Sequence, residues 1–247
     1  MKIKSLKLKV YIILRLLIVL CMIRQIILGN LSNIILCIIT LILFMLPSIL
    51  CKKFKIDFPD ILEIIIYLFI FASEILGEID KLYVHINNFD TIMHTINGFL
   101  MAGIALSLID ILNKEESINF SLKPIYAAFF AFCFSMTTGV VWEIFEFSVD
   151  TLMHKDMQKD TIITEISSVK FDDKESRAKR IEIKSVEVNG IDYISKYGGY
   201  IDIGLIDTMK DLIVNLIGAI VYSTFGFIYL DNKGYTPKEF TITRQRE

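Results

Sequence analysis

VWEIFEFSVD, residues 141–150, closes an apolar run long enough to cross a membrane. It carries Glu143, Glu146 and Asp150 at i, i+3 and i+7, a spacing that aligns side chains on one helical face. Acids aligned at the end of so apolar a segment raise one question: what surrounds them.

The rest of the chain answers with more apolar segments. Of its 247 residues 54% are hydrophobic, and runs of about 20 apolar residues recur. Six are read as spanning helices, roughly 9–28, 31–50, 58–77, 90–112, 125–148 and 206–230. The expected fold is therefore an all-α polytopic membrane protein, with a small extracytoplasmic β-hairpin insertion between helices five and six. Residues 1–150 hold spans one to five, 151–205 the extracytoplasmic loop, and 206–247 span six and a cytoplasmic tail.

The N-terminus is basic and then apolar, but no small-residue cleavage site precedes the next apolar run, so it reads as a first span and not a leader. Pro47 falls near the end of span two. Pro59 and Pro124 fall at helix starts, where a missing N–H costs nothing. A net charge of −2 and no dense basic patch exclude nucleic acid as a partner. Cys21, Cys37, Cys51 and Cys133 lie in or beside apolar runs without metal-ligand spacing, and read as buried small hydrophobes.

Orientation follows from the basic residues of the short connections. Lys2, Lys4, Lys7 and Lys9 precede span one; Lys52, Lys53 and Lys55 follow span two. Lys114 and Lys123 follow span four, and Lys233, Lys238, Arg244 and Arg246 follow span six. With six spans these fall on one side, which the positive-inside rule makes cytoplasmic. The chain is then a multi-pass protein of the cell membrane with both termini in the cytoplasm. The long fifth connection lies outside, and its "RIEIKSVEVNGIDYI" alternates about Asn189-Gly190, a hairpin signal. "TIITEISSV" is a candidate further strand.

That topology brings polar residues of four spans to the outer side. Asp90 and His94 are one turn apart; Glu143, Glu146 and Asp150 end span five; Asp207, Asp211 and Asn215 share one face of span six. Glu74 ends span three, and Arg24, in the outer part of span one, is the expected cation. A carboxylate at mid-membrane costs roughly 2.5–3.5 kcal/mol, so such groups call for protons, partners, water or a bound cation. Carboxylates with one imidazole suit a divalent metal, and bundle-core metal sites are built this way. Helix-end positions with N-capping roles for Asp90 and Asp207 are the plain alternative. Arg15 is expected to snorkel or to pair with Glu63.

"FDTIMHTINGF", "WEIFEFSVD", "MQKDT" and "GLIDTMKDLIVNLIGA", in that order, resemble the YjdF-like family of bacterial inner-membrane proteins. More distantly the layout is similar to VanZ-like membrane proteins, which also place an acid–His pair, a later Glu and an Asp…Asp…Asn…Gly helix on membrane segments; the long inserted loop departs from them. The resemblance implies membrane location and points to the same polar residues. It carries no reaction, substrate or cofactor.

Three functions remain open. The first is a metal-assisted enzyme acting on a lipid or envelope precursor, with His94, Asp207 and Asp211 as ligands and Glu143 or Glu146 as general base. The second is a structural or partner-binding protein whose polar network locks the helices, with a protein partner at the outer loop. The third is a proton- or cation-coupled transporter, the less attractive for want of a repeat or broken span.

Overall fold

The computed structural model describes residues 2–113, 122–233 and 241–244. In chain order the helices and strands begin with α1 (Lys2–Ile27), α2 (Leu31–Leu43), α3 (Leu46–Phe54), β1 (Ile56–Asp57) and α4 (Asp60–Phe71). A π-helical segment (Ala72–Ile79), α5 (Leu82–His85), α6 (Phe89–Asn113) and α7 (Pro124–Met153) follow. Next come β2 (Ile162–Ile163), β3 (Glu165–Ser168), a 3-10 turn (Val169–Phe171), β4 (Lys179–Glu182), β5 (Glu187–Val188) and β6 (Ile191–Asp192). The chain ends with α8 (Tyr193–Tyr197), β7 (Tyr200–Ile201), α9 (Leu205–Lys233) and β8 (Thr243–Arg244). Lys114, Lys238 and Arg246, counted above toward orientation, lie outside the described residues, as do the side chains of Lys2, Lys4, Lys233 and Arg244.

Among the described residues five helices are long and apolar enough to cross a membrane: Ser5–Ile27, Leu31–Phe54, Phe89–Asn113, Pro124–Leu152 and Leu205–Asn232. The remaining expected span, 58–77, is α4 running straight into the π segment; Asp60, Glu63, Glu74 and Glu78 dilute its apolar character. Ion pairs near both ends nonetheless tie it to α1. Lys7 Nζ is 2.7 Å from Asp60 Oδ1 at one end, and Arg24 Nη2 is 2.6 Å from Asp80 Oδ1 just past the other. The segment therefore runs beside the first span from end to end. Span two is not one straight helix. α2 stops at Leu43, a turn covers Phe44 and Met45, and Pro47 stands in the first turn of α3, where its ring is tolerated.

The chain divides into two compact units, Met1–Gly139 with Ile213–Glu247, and Val140–Leu212. In the first, Leu14, Ile18, Cys37, Phe44, Tyr67 and Ile75 form one apolar cluster across α1, α2, α4 and the π segment. Of the four cysteines only Cys37 is buried; the others are partly exposed and all four are free thiols. A second cluster packs Ala102, Ala105, Leu106, Ala127, Ala131 and Tyr222 of α6, α7 and α9. β1 pairs antiparallel with β8, and Ile242 is buried beside Ile56, Phe58, Leu62 and Leu100. The segment after span six is thus strapped onto the connection after span two.

The π segment has a local cause. Gly77 leaves room for the Tyr83 ring, since a Cβ there would stand 2.3 Å from Tyr83 Cε2. Tyr83 packs edge-on against Phe89, and its hydroxyl lies 3.0 Å from Ser73 Oγ. The widened turn lets the ring sit against the helix backbone, and π turns of this kind are frequent at functional sites.

The second unit holds the remaining strands, β2 to β7. β5 and β6 form the expected hairpin, with Asn189 (φ 53°) and Gly190 (φ 77°) in the left-handed region that a two-residue hairpin turn demands. It is shorter than the alternating stretch suggests. β4, which contains "RIE", pairs with β3 instead, in register Ile166↔Ile181, and β2 pairs with β7. These ladders are two to four residues long, too short to stand alone.

Candidate functional site

On α6, Asp90 Oδ1 lies 3.4 Å from His94 Nε2, an i, i+4 contact along one face. Asp90 is in the first turn and partly exposed, while His94 is buried deeper along the helix. The face continues to Asn97, whose Nδ2 donates to Asn215 Oδ1 on α9 at 3.2 Å. Asn215 is 1% exposed and its Nδ2 donates to the Ser135 carbonyl on α7 at 3.4 Å. Ser135 Oγ in turn donates to the Gly98 carbonyl at 2.7 Å. Three helices are thus laced at one level by side-chain amides and a hydroxyl.

Small residues make that lacing possible. A Cβ on Gly98 would stand 2.2 Å from the Asn215 carbonyl oxygen, and one on Gly139 would stand 2.6 Å from Asn215 Nδ2. α6 and α9 run parallel here, since Thr95 meets Gly218 and Phe99 meets Tyr222 further along both helices. Beyond the lacing the seam turns apolar: Phe99 and Tyr222 stack edge-to-face with centroids 4.7 Å apart, above fully buried Ala102 and Ala105.

On α7, Glu143 and Glu146 are both buried, and Trp142 Nε1 donates to Glu146 Oε1 at 2.8 Å. Trp142 therefore orients a carboxylate. Asp211 on α9 is 3% exposed and lies one turn before Asn215 on the same helical face.

Asp150 and Asp207 are engaged with backbone. Asp150 accepts from Met157 N–H at 2.7 Å and Gln158 N–H at 2.8 Å, and Asp207 Oδ2 accepts from Lys159 N–H at 2.6 Å. Asp202, which sequence reasoning passed over, accepts from Thr161, Gly204 and Ile206 N–H groups at 2.7, 3.2 and 2.8 Å. Three carboxylates thus clamp the stretch "MQKDT" and the start of α9. Burial pushes the Asp202 carboxyl up, but its backbone N–H bonds outweigh that and hold it below its ordinary value. Asp160 goes the other way, raised by burial and by Asp156, Asp202 and Asp150.

Arg24, expected as the cation of the outer acids, is turned to Asp80 instead, because the π segment carries Asp80 alongside α1. Arg15 does not pair with Glu63: it lies over the Tyr11 ring, 5.3 Å from the centroid, and Glu63 accepts from Lys7 and Tyr67. Asp110, near the end of α6 and 6% exposed, is a further buried acid that sequence reasoning missed. Its signal was a lone Asp inside an apolar run.

Helices of spanning length whose buried faces carry acids, amides and an imidazole define an integral, polytopic, all-α membrane protein. The chain belongs to the family described as "Predicted membrane protein (DUF2238)", whose model matches residues 9–232. No curated protein and no solved structure matches it.

Proposed function

We propose that this is a multi-pass membrane enzyme with an outer-facing metal site made by Asp90, His94 and Asp211. The observation that carries the reading is that each of these three offers a ligand atom within 4.8 Å of the others. Two carboxylates and one imidazole suit a divalent ion of intermediate hardness, and leave coordination positions for water and substrate. This ligand set takes Asp90 in place of Asp207, whose Oδ2 accepts from Lys159 N–H. Asp90, His94 and Asp211 would hold the ion, which would supply an activated water, and Glu143 or Glu146, both buried on α7, would be the general base that takes that water's proton. Membrane lipids surround the site, so a lipid or envelope precursor is the substrate class in reach.

A count of crossings supports six spans with both termini in the cytoplasm. The β1–β8 pairing needs an even number of crossings between Asp57 and Thr243. Three spanning helices lie between them, and α4 with the π segment supplies the fourth. The basic residues Lys52, Lys53 and Lys55 then mark that side as cytoplasmic, and the loop of residues 151–205 lies outside, open to a protein partner. A relationship to YjdF-like and VanZ-like proteins fits the same acid–His pair and Asp…Asp…Asn helix.

The lacing of Asn97, Asn215 and Ser135 favours a second reading, a protein whose polar residues serve helix packing alone. Transport ranks below both, because the Phe99–Tyr222 contact and the packed alanines close the α6–α9 seam.

Purified protein incubated with zinc, manganese and magnesium decides between the first two. Near-stoichiometric metal, lost in His94→Ala and in Asp211→Asn, supports the enzyme. A folded protein that retains no metal from any of the three rejects the metal site and leaves the packing reading.

A further inference from the structure

We propose that Asn97, Ser135 and Asn215 are positioning residues that fix the register of α6 against α9, directly and through α7, and so set the geometry of the metal site. The inference rests on the metal reading above. Its own basis is the lacing: Asn97 Nδ2 to Asn215 Oδ1, Asn215 Nδ2 to the Ser135 carbonyl, and Ser135 Oγ to the Gly98 carbonyl.

The placement of these bonds gives them that role. Asn97 stands one turn beyond His94 on α6, and Asn215 one turn beyond Asp211 on α9. Both helices are rigid at that distance, so a slide or rotation at Asn97–Asn215 moves the ligands one turn away by a similar amount. Apolar packing alone does not oppose such a slide strongly in a membrane, because lipid tails are as apolar as the helix faces. Directional bonds from amides to fixed partners do oppose it. The Asn215 amide is also packed closely against α7, since a Cβ on Gly139 would stand 2.6 Å from its Nδ2.

Losing a group bonded directly to a ligand costs about 10–100-fold in metal affinity; Asn97 and Ser135 act one turn away, through helix register, so the expected effect starts from the lower end of that range. Ser135→Ala removes one bond and almost no volume, so it tests the support with little risk to folding. Asn97→Ala removes the α6–α9 bond itself. Ile18→Ala in α1, at a fully buried position in the other apolar cluster, is the control for stability loss alone.

The experiment is cobalt(II) titration of the full-length protein in detergent, reading the visible absorption of the bound ion together with the melting temperature. We expect the wild type and Ile18→Ala to give the same spectrum and affinity, although the latter melts lower. Ser135→Ala and Asn97→Ala should bind cobalt about tenfold or more weakly, with a shifted absorption band. If both bind with the wild-type spectrum and affinity while melting lower, the lacing only stabilises and the positioning role is overturned. If the wild type itself gives no cobalt spectrum, the metal reading falls and this inference falls with it. Asn97→Ala failing to fold leaves Ser135→Ala as the deciding variant.

Discussion

Gly218 on α9 lies directly against Thr95 on α6: a Cβ added to the glycine would stand 2.2 Å from the Thr95 carbonyl oxygen and 2.9 Å from the Phe99 nitrogen. Both obstacles are backbone, which cannot turn aside as a side chain can. Gly218→Ala therefore has to push the two helices apart. Overpacking of this kind costs about 1–3 kcal/mol. We expect a clear fall in melting temperature in detergent. Gly226→Ala is the comparison, since its Cβ would meet the Leu106 side chain, nearest at Cδ2, the end of a flexible side chain. Equal effects from the two substitutions would contradict this account of the α6–α9 contact.

The Arg24–Asp80 pair should matter little to the site. Its side chains are 51% and 35% exposed, so solvent and salt screen the attraction. Arg24→Ala is expected to cost less than about 1 kcal/mol, and less still at high salt. Metal bound per protein should stay at the wild-type level. A large loss of metal in Arg24→Ala would show that Arg24 serves the acids after all.

The contrast between these residues explains how far the sequence could be read. Apolar length revealed the spans, because a bilayer demands about 20 such residues whatever the packing. The same length rule concealed the break at Phe44 and the π segment, which arise from Pro47 and from the Tyr83 ring resting on Gly77. Helical periodicity put Asp90 with His94, and Asp211 with Asn215, on shared faces, a relation internal to each helix. It could not give the partners of Asp150 and Asp207, because those partners are backbone amides of residues 157–159, and every residue type but proline supplies the same N–H. Asn97 was overlooked for a related reason: its importance lies in a bond to a residue 118 positions away.

The β5–β6 turn offers a test of local conformation. Gly190 has φ 77° in a two-residue hairpin, and nothing lies within 4 Å of where its Cβ would be. Space is free, so the cost of Gly190→Ala is conformational alone, about 1–2 kcal/mol for an L residue in the left-handed region. We expect faster amide exchange in residues 187–192 with no change in α6 or α9. Unchanged exchange would mean that these two short strands are held by something other than their turn.

Acid should loosen the clamp around Asp202. Its ordinary carboxyl value is 3.8, and in the folded protein it lies below that, so folding favours the ionised form. The sign follows: the stabilisation is complete above 3.8 and is lost as the pH falls through the lower folded value. Protonation removes charge from an acceptor of the Thr161, Gly204 and Ile206 N–H groups. Exchange of those three amides, corrected for its intrinsic pH dependence, should therefore accelerate only below that window in the wild type. In Asp202→Ala it should be fast at every pH, because each buried N–H stranded there loses about 1–3 kcal/mol of compensation. Protection that persists in Asp202→Ala would mean that the link between residue 161 and the start of α9 does not depend on this carboxylate.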